Sequence, residues 1–272
     1  MSTEPKSPFN ATVVGREIIH PELMVMRVRP DDKLFEFKPG QFGVLGLPGS
    51  AARVPEAEAE NPAPPADQMI RRAYSIASAS VERRYVEFYI TLITSGGLTP
   101  RLFALKHGSR VFLGPKASVI FTLDKVPAGN NVVLVATGTG LAPYVSMLRT
   151  YLMHETQRKI VVLHGARYSW DLGYRGELES LARLRSNFTY IPTITRPDQD
   201  PHFQGHTGRL QALLEQGLVE KESGVQLDPT KADVFLCGNP EMVKAVKAIL
   251  EAKGFAAGHG KEPGNVHVEE YW

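Results

Sequence analysis

The sequence predicts two domains of different class, an antiparallel β-barrel or sandwich followed by an α/β domain with a doubly wound parallel sheet. The length of 272 residues fits two domains at roughly 150 residues each. Short β-rich runs separated by turn signals fill the first part of the chain, whereas strand-like and helix-like runs alternate in the second part. Apolar residues make up 43% of the chain and charged residues 22%, which excludes wholesale disorder.

The first domain, predicted at residues 1–126, contains runs rich in Val, Ile, Phe and Tyr, which favour strands. Pairs such as Pro39-Gly40 and Gly96-Gly97 mark turns between these runs. One short helix is expected at 99–106. The expected strands cover residues 11–19, 23–29, 41–47, 72–78, 84–94, 110–113 and 119–123.

Residues 50–68 interrupt this series with a segment rich in Ala, Pro and Glu. Such a composition is typical of a poorly ordered loop. We therefore expect a solvated excursion between two strands of the first domain. A lid or a partner-docking loop is the functional alternative.

The second domain, predicted at residues 127–272, follows the turn signal at Val126-Pro127-Ala128-Gly129. Its first strand is almost entirely apolar, as expected for a strand covered on both faces. Strands and helices that alternate at this spacing predict a parallel, doubly wound sheet. The expected strands are 131–136, 159–164, 188–194 and 232–237, and the expected helices are 140–153, 171–185, 210–214 and 240–252.

Charge and cysteine content exclude several classes of protein. The 31 Lys and Arg against 29 Asp and Glu give a net charge of +2, which argues against a general nucleic-acid binder. The single cysteine, Cys237, excludes a disulfide within the chain, an iron–sulfur cluster or a zinc ribbon held by four of its own cysteines, and no metal site is expected. No apolar run approaches the ~20 residues of a spanning helix, and residues 1–10 lack the apolar region of a secretory signal, so we expect a cytoplasmic protein without a membrane span.

Two segments of the first domain have the chemistry of a phosphate site. Strand alternation places Arg72 and Tyr74 on one face, where a guanidinium and a flat ring could bind a phosphate and a stacked group. The alternative is an edge strand with an exposed Arg and a half-buried Tyr. Gly96 and Gly97 precede a Thr-Pro helix start, whose free N–H groups suit a diphosphate, although the segment could also be a simple turn and cap.

The run from Thr137 to Pro143 follows the first parallel strand and begins a helix, which is where a doubly wound sheet binds phosphates. Its spacing is G-x-G-x-x-P, so the ordinary dinucleotide fingerprint fails at its third glycine. A dinucleotide site of a different family is the leading interpretation, and a plain strand-to-helix turn is the alternative.

Three arginines near later strand ends, Arg167, Arg196 and Arg209, could converge on one phosphate. An Asp or Glu after the second strand would favour NAD, whereas arginine suits the 2′-phosphate of NADP. Cys237 lies at the carboxyl end of the last predicted strand, where a site role and an inert core role stay equally open. The terminal Tyr271 and Trp272 could pack on the core or on a planar cofactor.

Five of these motifs together carry a resemblance that covers nearly the whole chain. They are R-A-Y-S at 72–75, G-G-L-T at 96–99, G-T-G-L-A-P at 138–143, C-G-N-P-E-M at 237–242 and V-E-E-Y-W at 268–272. In this order they resemble the plant-type ferredoxin/flavodoxin–NADP reductases, most closely the bacterial class. The resemblance implies an FAD-binding Greek-key β-barrel, then an NADP-binding α/β domain with a C-terminal tail that returns to the flavin.

The resemblance also implies a role for each matching residue. Arg72 would contact the FAD pyrophosphate, Tyr74 would pack against the isoalloxazine, and Ser75 would hydrogen-bond near its N5. The implied catalytic residues are Ser75, Cys237, Glu269 and Tyr271. The implied FAD-binding set is Arg72, Ala73, Tyr74, Ser75, Ile90, Thr91, Leu92, Gly97, Leu98, Thr99, Thr137, Tyr271 and Trp272. The implied NADP-binding set is Gly138, Thr139, Gly140, Arg167, Arg196, Arg209 and Cys237.

The implied activity is hydride exchange between NADPH and flavin N5, followed by single-electron exchange with ferredoxin or flavodoxin. We expect a monomer with FAD and NADP(H) as cofactors. One alternative is a free reductase component that serves an oxygenase through a separate ferredoxin. Another is a flavin-binding interaction module without catalysis, which the presence of Arg72, Tyr74, Ser75, Cys237 and Glu269 argues against.

Overall fold

The chain divides into two compact units, Met1–Ile120 and Phe121–Trp272. The computed structural model describes residues 7–118, 121–258 and 264–270. The first unit ends earlier than residue 126, the boundary predicted from the sequence. Phe121 explains the difference, because its ring packs against the rings of Tyr144 and Phe235 in the second unit.

The first unit is a six-stranded antiparallel sheet with the strand order β4-β3-β6-β1-β2-β5. The residue that follows β4, Ile76, forms an antiparallel bridge with Phe88 of the other outer strand, β5. The sheet therefore curls into a barrel, which confirms the predicted fold of this part of the chain. The strands are β1 (Ala11–His20), β2 (Leu23–Pro30), β3 (Phe42–Pro48), β4 (Met69–Ser75), β5 (Val86–Thr91) and β6 (Arg110–Leu113).

One helix, α1 (Thr99–Ala104), covers the barrel next to its apolar interior. Leu102 and Phe103 of this helix are buried in the same core as Met24, Leu45 and Phe88 of the strands. The Pro100 ring suits the first turn of a helix, where its missing N–H is not needed. The helix thus anchors the preceding turn, residues 96–98, to the barrel.

Residues 50–68 form an irregular and mostly exposed connection between β3 and β4, as their composition predicts, and ordered contacts anchor it to the barrel. Gly49 N donates to the Gln68 carbonyl and Ser50 N to the Ala66 carbonyl, both at 2.9 Å, so the segment starts and ends as a closed loop. Val54 N donates to the Pro100 carbonyl at 3.1 Å, and the Val54 side chain packs against the barrel core. The solvated loop predicted from composition is therefore present, but its anchoring to the barrel was not expected.

The second unit is a parallel six-stranded sheet with the order β10-β9-β8-β7-β11-β12. This confirms the predicted doubly wound α/β fold. Its strands are β7 (Asn131–Thr137), β8 (Ile160–Ala166), β9 (Phe188–Ile194), β10 (His206–Thr207), β11 (Ala232–Gly238) and β12 (Val266–Glu270). Its helices are α2 (Ala142–Tyr151), α3 (Arg175–Leu184), α4 (Leu210–Glu215), α5 (Leu218–Ser223) and α6 (Pro240–Ala252).

The strand order of this sheet reverses between β7 and β11. The chain moves outward from β7 through β8 and β9, then returns to add β11 and β12 on the other side of β7. In such sheets ligands bind at the reversal point, outside the carboxyl ends of the strands. The turns that follow β7 and β11 therefore define the place to search for a site.

Several elements differ from the sequence expectations. Residues 121–122 are not a strand, and a short 3₁₀ helix spans Leu123–Lys125; residues 119 and 120 lie outside the described part. The strands β10 and β12 and the helix α5 were not expected. In the described ranges the longest helix, α6, has 13 residues, and none has the length and apolar character required to cross a membrane.

Candidate functional site

Strand β4 is an outer strand of the sheet and carries Arg72 and Tyr74 two residues apart, an arrangement that both sequence interpretations expected. Arg72 is exposed, and its Nη1 donates to the carbonyl oxygen of Arg71 at 2.8 Å. Tyr74 is half-buried, with its ring edge-on to Phe88 at a centroid distance of 6.3 Å. Burial raises the pKa of the Tyr74 phenol, so this group stays neutral. The pair offers a cation beside an uncharged aromatic surface.

The other first-unit residues predicted to bind a cofactor divide into two groups. Ala73, Thr91, Gly97 and Thr99 keep some exposure. The side chains of Ile90, Leu92 and Leu98 lie in the barrel core, and Ser75 is buried at the end of β4. Residues with core side chains can offer only main-chain groups to a ligand, which a residue-type motif does not reveal.

The turn before α1 is held by the hydroxyl group of Thr99. Its Oγ1 accepts from Ile93 N at 3.0 Å and donates to the Ile93 carbonyl at 3.1 Å. A methyl group added to Gly97 would meet only Ile70 Cγ2, at 3.6 Å. Thr99 therefore shapes the turn, while the Gly97 backbone is open to close approach.

The turns after β7 and β11 contact each other through their backbones in the second unit. A Cβ on Gly140 would lie 2.6 Å from the carbonyl carbon of Cys237 and 2.9 Å from the Cα of Gly238. Gly238 has φ +136°, and its Cβ would lie 2.8 Å from the Thr137 carbonyl oxygen. Glycine is thus required at both positions, and the result is a backbone-lined crevice at the reversal point of the sheet.

The remaining residues of the first turn complete this crevice. Gly138 has φ +54°, and nothing lies within 4 Å of the position of a Cβ there. Thr139 is half-buried and its carbonyl accepts from Ala142 N at the start of α2. Thr137 Oγ1 accepts from Asn239 N at 2.9 Å, which ties the two turns together. The structure therefore brings Thr137, Gly138, Thr139 and Gly140 together with Cys237.

Cys237 and Glu269 face each other across neighbouring strands. They are register partners of the parallel pair β11 and β12, and the Cys237 thiol donates to Glu269 Oε2 at 4.0 Å. The buried Tyr144 phenol lies nearby; its pKa is raised by burial and further by the charges of Cys237 and Glu269. A thiol and a carboxylate thus meet beside the crevice. The predicted Tyr271 and Trp272 lie outside the described residues.

The three predicted arginines gather at the carboxyl ends of β8, β9 and β10. Arg196 N donates to the Arg167 carbonyl at 3.0 Å, which joins the ends of β8 and β9. Gly208 N donates to the Ile194 carbonyl at 2.9 Å, which places Arg209 just after β10, the neighbour of β9. All three side chains are exposed, so they form a cationic surface suited to a phosphate.

Two aromatic residues that the sequence analysis did not single out lie among these arginines. Tyr168 and Trp170 stack with centroids 4.6 Å apart at an interplanar angle of 12°. Arg196 Nη1 donates to the Tyr168 hydroxyl at 2.7 Å, and its guanidinium lies 5.5 Å from the Tyr168 ring centroid. The run Arg167-Tyr168 was a usable signal, because an arginine followed by an aromatic residue offers a cation and a flat surface at the same place.

His164 is fully buried on β8, where it pairs in register with Ala136 just before the first turn. Its Nδ1 lies 3.1 Å from the Tyr190 hydroxyl. Burial lowers the pKa of His164 to about 4, and a contact with the Gly138 backbone acts weakly in the opposite direction. The ring is therefore neutral at neutral pH and supports the turn without adding charge.

We expect His164 to make the second unit less stable on acidification. An unfolded histidine takes up a proton near its ordinary pKa of roughly 6.5, whereas the folded one does so only near 4. Between these values the unfolded state binds more protons, so stability falls by up to about 1.4 kcal/mol for each pH unit lost. The free energy of unfolding of His164→Leu, measured with urea, should depend less on pH in this window than that of the wild type. The control is His154→Gln, at an exposed site, which should show the same pH dependence as the wild type. Equal slopes for the wild type and His164→Leu would contradict the expectation.

Residues 134–248 match the family model of the oxidoreductase NAD-binding domain. The fold and the crevice therefore define an oxidoreductase of the class that joins an antiparallel barrel to a dinucleotide-binding α/β unit. The flavodoxin/ferredoxin–NADP reductase of Escherichia coli strain K12 is 32% identical over 237 residues, with 87% of this chain and 88% of that protein covered. Ferredoxin–NADP reductase B of Sorangium cellulosum is 33% identical over 266 residues, with 97% and 98% covered.

The chain belongs to the ferredoxin/flavodoxin–NADP reductase family. A crystal structure of a ferredoxin NADP+ reductase from Neisseria gonorrhoeae with bound FAD and NADP shares the fold. Its TM-score is 0.81 at 24% identity, and the match covers 97% of this chain and 99% of that one. The resemblance stated from the motifs is confirmed by these relatives.

Proposed function

We propose that this protein is an FAD-dependent ferredoxin/flavodoxin–NADP+ oxidoreductase that exchanges hydride between NADPH and flavin N5 and single electrons with ferredoxin or flavodoxin. The observation that carries the proposal is the crevice at the strand reversal, where Gly140 and Gly238 bring two backbone turns together beside Cys237 and Glu269. Family membership supports the same activity. When bound, FAD would accept electrons in pairs from the nicotinamide and release them singly, which is chemistry that side chains lack.

The first unit has residues that fit FAD. The exposed Arg72 would bind a phosphate of the diphosphate, and the open backbone at Gly97 would approach it closely. The neutral Tyr74 ring would pack against the isoalloxazine, with Ser75 at the end of the same strand. In this assignment the residues with core side chains, Ile90, Leu92 and Leu98, contribute main-chain groups.

The second unit has residues that fit NADP(H). The turn from Thr137 to Gly140 would bind the diphosphate through its backbone, as the close approach at Gly140 allows. Arg167, Arg196 and Arg209 would bind the 2′-phosphate, which distinguishes NADP from NAD. Cys237 would orient the Glu269 carboxylate, and Glu269 would hold a proton for the reaction.

The relatives are named for ferredoxin and flavodoxin, and we propose one or both as the electron partner. We also propose that the protein works as a cytoplasmic monomer. A role as the reductase of an oxygenase system is not favoured, because curated relatives that match over most of the chain are named ferredoxin/flavodoxin–NADP reductases.

The proposal is tested by the visible absorption spectrum of the purified protein and by reduction of ferricyanide with NADPH and with NADH. We expect a bound flavin and a clear preference for NADPH. A colourless protein, or one that takes up no FAD, would contradict the proposal.

Substitution of Arg196 by alanine should separate the two nicotinamide substrates. Removing a charge-assisted contact to a phosphate costs about 1.5–3 kcal/mol, so kcat/KM for NADPH should fall by about tenfold or more. The value for NADH should change little, because NADH lacks the 2′-phosphate. Arg183→Ala, which removes an exposed arginine of α3, is the control and should leave both values unchanged. Equal losses for NADPH and NADH in Arg196→Ala would count against this assignment.

A further inference from the structure

A buried ion pair links the segment at 50–68 to helix α1. Arg101 of the helix has a side chain that is 1% exposed, and its partner Glu60 comes from the segment. Glu60 Oε1 accepts from Arg101 Nη1 at 2.7 Å, and Oε2 accepts from Nη2 at 2.9 Å. This paired geometry fixes both the position and the plane of the guanidinium.

The same guanidinium holds two main-chain carbonyls. Arg101 Nη1 donates to the Gly97 carbonyl and Nη2 to the Gly49 carbonyl, each at 2.6 Å. In a trans peptide the C=O and N–H point in opposite directions. The bond to Gly97 therefore turns the next N–H, that of Leu98, away from Arg101. This peptide lies in the turn 96–99, to which we assign the FAD diphosphate.

A second set of contacts anchors the segment to the other end of this turn. Arg53 Nη1 donates to the Glu58 carbonyl at 2.6 Å. Thr94 Oγ1 donates to Glu58 Oε1 at 2.8 Å, and Glu58 N donates to the Thr94 carbonyl at 3.0 Å. The segment thus contacts the chain on both sides of Gly97, at Thr94 and at Arg101.

We propose that Glu60 is a positioning residue for FAD, which acts through Arg101 to hold the Gly97 peptide in the orientation that receives the diphosphate. The inference rests on the proposed function, since it assigns a task to a residue behind that site. A buried guanidinium without its carboxylate is strongly unfavourable. Loss of Glu60 therefore drives Arg101 toward water and releases Gly97 and Gly49. The segment at 50–68 is in this view the support of the turn and not a lid.

The test compares Glu60→Gln with Glu56→Gln, which removes a carboxylate from an exposed position of the same segment. Apoprotein prepared from each holoenzyme is titrated with FAD, and the quenching of flavin fluorescence gives the Kd. Because one member of a buried ion pair is removed, the FAD Kd of Glu60→Gln should rise by about tenfold or more. The Kd of Glu56→Gln should stay within about twofold of the wild type.

A second measurement separates positioning from a general loss of structure. The affinity of each protein for NADP+ is measured by calorimetry, since Glu60 lies in the first unit and the proposed NADP residues lie in the second. We expect the NADP+ Kd of Glu60→Gln to equal that of the wild type. A parallel loss of both affinities would overturn the positioning role. If Glu60→Gln does not fold, Glu60→Asp keeps the charge on a shorter stem and should weaken FAD binding alone.

Two negative results have different meanings. A wild-type protein that binds FAD together with a Glu60→Gln variant of equal FAD affinity would overturn this inference and leave the proposed function intact. A wild-type protein that binds no FAD would overturn both.

Discussion

Replacement of Arg72 by alanine is expected to weaken FAD binding by about a hundredfold, because the variant loses a charge-assisted contact to a phosphate, worth roughly 2–3 kcal/mol. The fold should be unaffected, since the Arg72 side chain is exposed and its guanidinium donates to the carbonyl of the adjacent residue, Arg71. The measurement is the FAD Kd of the apoprotein, together with the melting temperature of the same sample. We expect a large change in the first and almost none in the second.

Two further variants sharpen this expectation. Arg72→Lys keeps the charge but loses the planar fork, so its FAD affinity should lie between the wild type and Arg72→Ala. Arg71→Ala removes the adjacent arginine of the same strand, whose guanidinium lies 4.3 Å from the Phe112 ring centroid. It should retain FAD. Equal losses of FAD affinity in Arg71→Ala and Arg72→Ala would contradict a specific contact from Arg72 and would indicate a general effect of positive charge on β4.

Substitution of Gly140 by alanine is expected to disrupt the crevice at the strand reversal. The added Cβ would lie 2.6 Å from the Cys237 carbonyl carbon and 2.9 Å from the Gly238 Cα, which are backbone atoms that cannot move independently of β11. Overpacking of this kind costs about 1–3 kcal/mol of stability. The turn that we assign to the NADP diphosphate must shift, so the NADP+ Kd should rise by at least about tenfold.

The control for this variant is Gly176→Ala on α3, where nothing lies within 4 Å of the new Cβ. In a helix this change should be neutral or stabilising by up to about 1 kcal/mol. Gly176→Ala should leave FAD affinity unchanged, and Gly140→Ala should change it much less than NADP+ affinity, because Arg72, Tyr74 and Gly97, to which we assign most of the FAD contacts, lie in the first unit. Wild-type NADP+ affinity in Gly140→Ala would show that the backbone contact is not needed for the site.

Local sequence patterns were sufficient to predict an element and its bounds where the element depends mainly on its own residues. The strand Phe188–Ile194 and the helix Pro240–Ala252 have the bounds expected from the sequence. The helix begins where Pro240 follows Asn239, whose side chain accepts from Glu241 N and Met242 N. The crevice turn was found in the same way, because Gly138 and Gly140 come directly after an apolar strand.

Contacts between distant parts of the chain were not predictable from local patterns. The composition of residues 50–68 predicted a solvated loop but not its anchoring, because nothing local shows that Glu60 pairs with Arg101, 41 residues away. The strand β12 was missed for the same reason, since a five-residue segment becomes a strand here by pairing with β11. The buried His164 gave no signal either, because its lowered pKa comes from burial, which depends on how the whole unit packs.

Periodicity and residue type, which are local properties, were enough to predict the two fold classes, their order and the motifs that supply cations and glycines. Only the folded chain shows that Glu60 neutralises Arg101, that the Cys237 thiol contacts Glu269, and that Gly140 has no room for a side chain. These depend on strand register and on backbone distances between segments far apart in the chain, which no single segment encodes.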